Sequence, residues 1–463
     1  MKNSIENNSF LAASEKVAFD EAHRDKIKFN IGKYNNAVDS GKKNYSNLDI
    51  AKERVGFFKY KVINELDRYL IEFEANFIAN GGKIIWAEDS EEALEEIIKI
   101  ARNHNLKSAV KSKSMITEEI ELNEALENCD IDVVETDLGE FIVQQAGQKP
   151  YHIVTPAMHM SKEDVALLYN EKFNTPDDMS PEELTLYTRN YLREKFTDAD
   201  LGITGANFLI ADTGAIALTE NEGNAMLSMS FPKVHIAIAG IEKIIPKLED
   251  LDLYWPLLST HGTGQAMTVY NSIISGPCKN GEKDGPDNMY LILLDNGRVN
   301  LLKEEKQRQA LLCIRCGACL NACPVYKNIG GHTYNTTYSG PIGSVITPYL
   351  KSMKKYKHLS FASSLCGNCT TVCPVKIPLH ELLLANRNHA VKKGFHTFFE
   401  KRSIKLSSRA LKSRKLLDML TGKSKNKLLK TAINKSWGPR RDLPEIAPKS
   451  FNQLWKESMN KEK

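Results

Sequence analysis

The chain has 463 residues, 42% of them apolar and 26% charged, and a net charge of +4 at pH 7. This is the composition of a soluble globular protein with room for two or three ordinary cores, and so small a net charge leaves no electrostatic footprint for nucleic acid. No run approaches the ~20 apolar residues of a membrane span; the longest, near Val234 to Ile245, is interrupted by His235, Glu242 and Lys243.

Met1 to Phe10 is polar and lacks the apolar stretch of a signal peptide. With clustered cysteines in place of a disulfide pattern, this predicts a cytoplasmic protein, peripheral to a membrane at most through partners. Charge is unevenly spread. From Val391 to Lys463 there are about twenty Lys and Arg against about six acids, so the rest of the chain is net acidic.

In chain order, residues 1–59 read as a helical N-terminal extension. Apolar spacing predicts one helix from Ala12 to Lys26 and another from Leu48 to Asn76, the second with Phe57, Val62, Ile63, Leu66, Leu70 and Phe73 on one stripe. Gly81-Gly82 ends it. Residues 60–302 then alternate strand and helix, the signature of an α/β domain. Expected strands are Lys83 to Ala87, Ser108 to Val110, Ile131 to Glu135, Phe208 to Ala211, Ala215 to Leu218, Val234 to Ala239 and Tyr290 to Leu294, assembled in one sheet. Asp89-Ser90 caps a helix from Glu91 to Asn103, Thr117-Glu118-Glu119 opens another, and Asp212-Thr213-Gly214 is a hairpin turn signal.

Small and polar residues gather at the strand ends in Gly202 to Asn207, Ala211 to Ala215 and Glu220 to Asn224. Such ends face ligands in open α/β sheets, although glycines also serve tight turns alone. Lys111, Ser112 and Lys113 precede a helix start and suit an anion or a solvated loop. Glu135 and Asp137 suit acid–base work or an ordinary surface. No G-x-G-x-x-G or Walker A run is present, and His152, His159, His235 and His261 lack ligand spacing, so no nucleotide or metal is assigned to this domain and no catalytic residue is named.

Residues 303–392 carry the strongest signal. Cys313, Cys316, Cys319 and Cys323 form C-x2-C-x2-C-x3-C followed by Pro324, and Cys366, Cys369 and Cys373 echo it before Pro374. Three thiolates spaced by two residues hold three corners of an iron–sulfur cube, and the cysteine before proline turns to the neighbouring cluster. The expected sets are therefore Cys313, Cys316, Cys319 and Cys373 for one 4Fe–4S cluster, and Cys323, Cys366 and Cys369 for a second. Zinc, which takes two separated pairs, and disulfides fit the spacing less well. The second set lacks a cysteine where Ser363 stands. A three-iron cluster, an oxygen or water ligand such as Ser363, or recruitment of Cys129 or Cys278 would each complete it. Standing alone, Cys129 and Cys278 read as small buried residues. The long spacer, with a helix expected from Pro348 to Lys357 and another from Pro378 to Lys392, predicts an α-helical dicluster module in place of a compact two-stranded ferredoxin. Residues 393–463 form a basic C-terminal region with helical spacing at Leu411, Leu416, Leu417 and Leu420, broken by Pro439, Pro444 and Pro448. It is either a solvated surface or a dock for an acidic partner or anionic membrane.

Val110 to Glu127 (VKSKSMITEEIELNEALE), Val133 to Gln144 (VVETDLGEFIVQ), Gly202 to Asn224 (GITGANFLIADTGAIALTENEGN) and the two cysteine runs together resemble the lactate-utilisation protein B family from about Leu48 to the tail. The resemblance implies an α/β LUD domain of the NagB/RpiA/CoA-transferase-like type, followed by the α-helical ferredoxin-like dicluster domain and the basic tail. It implies an iron–sulfur electron-transfer subunit of a system oxidising L-lactate to pyruvate, whose partners are a CCG-motif cysteine-rich subunit and a smaller LUD-domain subunit. It also implies that seven cluster cysteines are a family trait. The alternatives are a self-contained iron–sulfur oxidoreductase with substrate in the LUD domain, and an iron–sulfur sensor.

Overall fold

The structure is a computed structural model that describes residues 5–396, 398–437 and 442–461. Residues 2–392 make one compact unit and residues 393–463 another. In the first, ten strands form two sheets: β1 (Lys83–Ala87), β2 (Ser108–Lys111), β3 (Asp132–Glu135), β4 (Leu201–Thr204), β5 (Phe208–Ile210), β6 (Ala215–Glu220), β7 (Val234–Gly240), β8 (Ile244–Ile245), β9 (Tyr270–Ile274) and β10 (Asn288–Leu294).

The larger sheet is parallel, in the order β1-β10-β7-β4-β2-β3. Alternate side chains of its central strands enter different cores, as the period of two requires. Ile236, Ile238, Ile292 and Leu294 pack with the helix Ser90–Asn103, whereas Ala237, Ala239, Leu291 and Leu293 join the core shared with the second sheet. Val110 and Val134 meet the helices Lys162–Phe173 and Pro181–Asp198. The hairpin β5–β6 does not belong to this sheet. It sits in a separate four-stranded one, ordered β8-β5-β6-β9, because its residues are apolar on both faces and are covered by Phe73 and Phe77 on one side and Tyr254 on the other.

The helical expectations change in detail. Ala12 to Lys26 is two helices, Ile5–Ala18 and Glu21–Gly41, because Asp20 stops the first and caps the second through the His23 amide (2.9 Å). Leu48 to Asn76 is likewise Leu48–Asn64 and Leu66–Ala79, parted at Glu65 (φ −118°, ψ 33°). Phe57 points outward, 64% exposed, and so leaves the predicted stripe. The turn at Thr117 begins earlier, at Met115 after Ser114, and ends by Glu119. Pro348 does not start a helix; it lies in the last turn of Gly340–Leu350, where the Ser344 carbonyl that it leaves without a helix donor accepts instead from Ser360 Oγ (3.4 Å) and Asn386 Nδ2 (3.5 Å), and a short Met353–Tyr356 turn follows. The helix after Cys373 runs from Leu379 to Lys392.

A single core runs from the N-terminal helices through the second sheet into the cysteine region. Phe10 meets Tyr334 edge-on at 5.8 Å, and the Lys52 ammonium donates to the Thr371 carbonyl at 2.9 Å. A Cβ at Gly56 would lie 3.0 Å from the Val375 carbonyl oxygen, and one at Gly41 2.3 Å from that of Gly264. The N-terminal helices therefore clasp both halves of the unit.

One contact in this clasp titrates. His23 bonds the Tyr151 hydroxyl at 2.9 Å, and Tyr151 stacks on His159, which meets His332 at 4.7 Å between ring centres. Burial, with His332 and His23 adding to it, pushes His159 down to about 3; Asp164 opposes this and Lys26 adds to it. The folded state thus holds His159 neutral while the unfolded chain binds a proton near pH 6.5. This contribution to stability is whole above pH 6.5 and is lost as the pH falls towards 3. His159→Asn should flatten the loss of stability across that window in an acid titration followed by circular dichroism. An unchanged profile would assign the acid sensitivity elsewhere.

In the second unit the helices are Phe398–Lys412, Arg414–Asp418, Gly422–Trp437 and Phe451–Lys461. Leu411, Leu416 and Leu420 are exposed there, and Leu417 is partly buried. Pro444 and Pro448 fall in non-helical chain; Pro439 lies outside the described residues.

Candidate iron–sulfur centres and the adjoining crevice

Both cysteine runs fold by the same local rule. Arg315 (φ 62°) precedes Cys316 and Gly317 (φ 78°) follows it; Leu365 (φ 56°) and Gly367 (φ 82°) flank Cys366 in the same way. Left-handed residues reverse the chain around the thiol and turn backbone amides towards sulfur, at a conformational cost for the two non-glycines. The Arg315 amide donates to Cys313 Sγ at 3.4 Å, Tyr326 to Cys323 at 3.5 Å and Ile377 to Cys373 at 3.4 Å. Such N–H groups stabilise thiolates and tune whatever they bind.

Cys313, Cys316 and Cys319 share one small cavity with Cys373 from the other run, enclosed by Ile153, Ile342, Val375 and Ile377. The electrostatic neighbours divide in the same way. Burial, then Cys313, Cys316 and Cys373, push Cys319 up, while burial and then Cys323 and Cys366 push Cys369 up to about 11. Among the described residues only Glu118, Glu135 and Glu140 bring three ligand atoms within 4.8 Å of one another. No three cysteine sulfurs do so. They stand wider than the ~3.8 Å edge of a tetrahedral zinc–thiolate site, and an all-thiolate donor set is the one that 4Fe–4S clusters take.

The two groups differ in exposure. Cys316, Cys323, Cys369 and Cys373 are buried, Cys313 and Cys319 partly so, and Cys366 is exposed. Ser363 Oγ accepts the Leu365 amide at 3.1 Å within the Cys366 loop. Cys129, in the turn after the helix Leu122–Glu127, packs beside the core that includes Ile97 and Leu126, and Cys278 bonds the Lys279 and Glu282 carbonyls in the loop before β10. Neither is fully buried, contrary to expectation, since each lies in a turn or loop outside the regular elements.

Beside the first cavity lies a larger one of about 580 Å³. It opens beyond the carboxyl ends of β2, β3, β4 and β7, where the strand order reverses between β2 and β4, the position at which open sheets take ligands. Ser112, Lys113, Asn207, Glu220 and Glu222 line its α/β side, and Arg315, Cys316 and Tyr338 its other side. A buried ionic network joins the two sides. Arg298 Nε donates to Glu242 at 2.7 Å, and its two terminal nitrogens grip both Glu119 oxygens at 2.9 Å. Glu119 also accepts from Asn296 (2.7 Å) and from the Tyr338 hydroxyl (2.6 Å). Against the cost of burial, Arg298 and then Arg315 hold Glu242 down to about 2. Lys59 donates to the Glu242 and Ile244 carbonyls at 2.6 and 3.2 Å, and burial lowers it to about 7.

The molecule matches two family models, a LUD domain over residues 70–294 and a 4Fe-4S dicluster domain over residues 309–377. It is 42% identical over 411 residues to the lactate utilization protein B of Bacillus cytotoxicus, covering 85% of each chain. It is 45% identical over 358 residues to that of a Bacillus cereus strain, covering 77% of this chain and 75% of the relative. The chain belongs to the lactate utilization protein B family. Its dicluster domain makes it a 4Fe–4S iron–sulfur protein, with seven cysteines gathered between residues 313 and 373. A crystal structure of a DUF162 family protein from Deinococcus radiodurans aligns over 50% of this chain and 98% of its own, at 14% identity and a TM-score of 0.28, too low to bear on the fold.

Within this member of the lactate utilization protein B family, the glycine-rich segments have divided roles. Gly205 to Asn207, Glu220 to Glu222 and Asn224 do line the crevice. Gly202 does not: a Cβ there would meet the Ser228 carbonyl oxygen at 1.8 Å, so it serves strand–helix packing. The Asp212–Gly214 turn is held by Asn76 and Asn80 on the helix Leu66–Ala79 and its cap, away from the crevice. Lys111 cannot hold an added anion, since it is buried between Glu135 (2.6 Å) and Glu118 (3.0 Å). Glu135 and Asp137 do not act as a pair. The first neutralises Lys111, and the second caps the helix Leu138–Gln145 and faces Lys113 at 3.2 Å. Burial and then Asp137 push Glu222 up to about 7. Arg315, Lys243, Glu242, Arg298 and Glu119 were not singled out from sequence. Only Arg315, inside the first C-x2-C, carried a local signal.

Proposed function

We propose that this chain is the iron–sulfur electron-transfer subunit of a multi-subunit system that oxidises L-lactate to pyruvate. The observation that carries the reading is the grouping of Cys313, Cys316 and Cys319 with Cys373 around an apolar cavity, beside the buried Cys323 and Cys369 and the exposed Cys366. In this reading the first four hold one 4Fe–4S cluster and the other three hold the second. Oxidation of L-lactate to pyruvate releases two electrons, and 4Fe–4S groups supply one-electron transfer when bound. Ile153, Ile342 and Ile377 keep water from the first set, while the exposed Cys366 suits exchange with a partner.

The partners are a CCG-motif cysteine-rich subunit and a smaller LUD-domain subunit, with no nucleic acid, and the complex is cytoplasmic, with peripheral association at a membrane through its partners. No helix among the described residues is long and apolar enough to cross a membrane. In support, the relatives are named for lactate utilization, and Glu135 and Asp137 are engaged by Lys111 and by helix capping.

The test is reduction by substrate. In anaerobically purified protein, L-lactate should produce the EPR signals of reduced clusters only when both partner subunits are present. Reduction by lactate with this chain alone would favour a self-contained oxidoreductase. A single labile cluster, lost without effect on lactate oxidation by the assembled complex, would favour a sensor.

A further inference from the structure

The crevice at the ends of the parallel strands is closed by a side chain from the first cysteine loop. Arg315 holds a left-handed conformation (φ 62°) and lays its guanidinium 4.4 Å over the Tyr338 ring, with 13% of the side chain exposed. Among the described residues its only ion pair is a long one, Nη2 to Glu242 at 3.5 Å, and its Nη1 is buried without a hydrogen-bond partner. Lys243, half-buried on the same wall, has no hydrogen-bond or ion-pair partner among the described residues. Glu242 cannot satisfy them, because its other oxygen already accepts from Arg298 at 2.7 Å. Glu119 is likewise spent on Arg298, Asn296 and Tyr338.

Two cations thus share one wall of a cavity of about 580 Å³ with a single, already engaged carboxylate. Buried charge without a partner is costly, and a buried guanidinium nitrogen without an acceptor more so. A cavity of this size admits a metabolite. Its remaining walls offer hydroxyl and amide groups from Ser112, Asn207, Thr219 and Thr263; the charged groups there are already engaged, Lys113 with Asp137, and Glu220 and Glu222 with the backbone amides of Ala225, Met226 and Leu138.

We propose that this crevice binds a small organic carboxylate, its charged group held by Arg315 Nη1 and Lys243 Nζ next to the Cys316 loop. The site needs no chemistry on the ligand, so it stands or falls separately from the electron-relay reading. A carboxylate seated there adds negative charge beside Cys316 and, through it, lowers the potential of the first centre. The ligand would report its presence to the centre by charge alone.

The experiment is calorimetric titration of anaerobic holoprotein with L-lactate, pyruvate, D-gluconate and inorganic phosphate, alongside the midpoint potential of the first centre. At least one of the three carboxylates should bind saturably and lower that potential. Arg315→Gln and Lys243→Met should each weaken the binding about tenfold or more, the scale of a lost charged hydrogen bond, with iron content unchanged. Arg315→Lys should recover part of the affinity. Lys243 lies outside the cysteine loop, so its variant tests the site even if Arg315→Gln fails to assemble its cluster. Three results would overturn the site: no saturable binding of any carboxylate, binding of phosphate alone, or variants that move the midpoint potential while leaving carboxylate affinity intact. The last would make the cations countercharge for the centre only. Carboxylate binding that survives when lactate fails to reduce the assembled complex would sink the relay and keep the site; the converse would do the opposite.

Discussion

Arg298→Met is expected to destabilise the 2–392 unit by about 3–5 kcal/mol, the usual effect of removing one member of a buried ionic network. The substitution keeps the length of the side chain but strands two carboxylates. Glu119 and Glu242 are both buried, and each takes its shortest cationic contact from Arg298. Residual acceptance from Asn296 and Tyr338 cannot replace the lost charge at Glu119. Chemical denaturation at pH 7 should show the loss. Lowering the pH should then narrow the gap between variant and wild type, because the stranded carboxylates regain neutrality by protonation. Glu119→Gln in the Arg298→Met background should recover part of the stability for the same reason. A loss below about 1 kcal/mol would mean that water reaches the network and that it does not tie the two sides of the crevice together.

Cys373→Ser should abolish the first centre and spare the second. The protein should retain about half its iron and sulfide, with the remaining EPR signal belonging to the cluster of Cys323, Cys366 and Cys369. Cys373 lines the cavity of Cys313, Cys316 and Cys319 although 50 or more residues separate it from them. Burial, with Cys313 adding to it, pushes its thiol up to about 12, opposed by the Ile377 amide, so a serine there would be a still poorer anionic ligand. Cys366→Ser should show the mirror image, a loss confined to the second centre, and a milder one because Cys366 is exposed. If Cys373→Ser instead damaged the centre of Cys366, each run would hold its own cluster and the crossed ligand sets would be wrong.

The parts of this protein legible in the sequence are those written in consecutive residues. Thiol spacing of two and three positions is a local code for a cube corner, and Arg315–Gly317 and Leu365–Gly367 repeat the same left-handed turn around a shared Cys-Gly pair. Strands such as β7 and β10, buried at almost every position, and the capping of Ser90–Asn103 by Asp89 are local in the same sense. Helix ends were less legible. Asp20 and Glu65 sit inside continuous apolar periodicity, and only the change in direction needed to clasp the core selects them as breaks.

What the tertiary structure alone decided lies between distant residues. The hairpin β5–β6 could pair within the large sheet or outside it, and the helix Leu66–Ala79 covering it settled the matter. Arg298 and Glu119 are 179 positions apart, Arg298 and Glu242 56. No periodicity links them, since an ion pair depends on where two chains meet in space and not on spacing along one. The same holds for Arg315. In sequence it is the third residue of a cysteine motif; in the fold its guanidinium leaves the cluster loop and becomes a wall of the α/β crevice, because a single core joins the two.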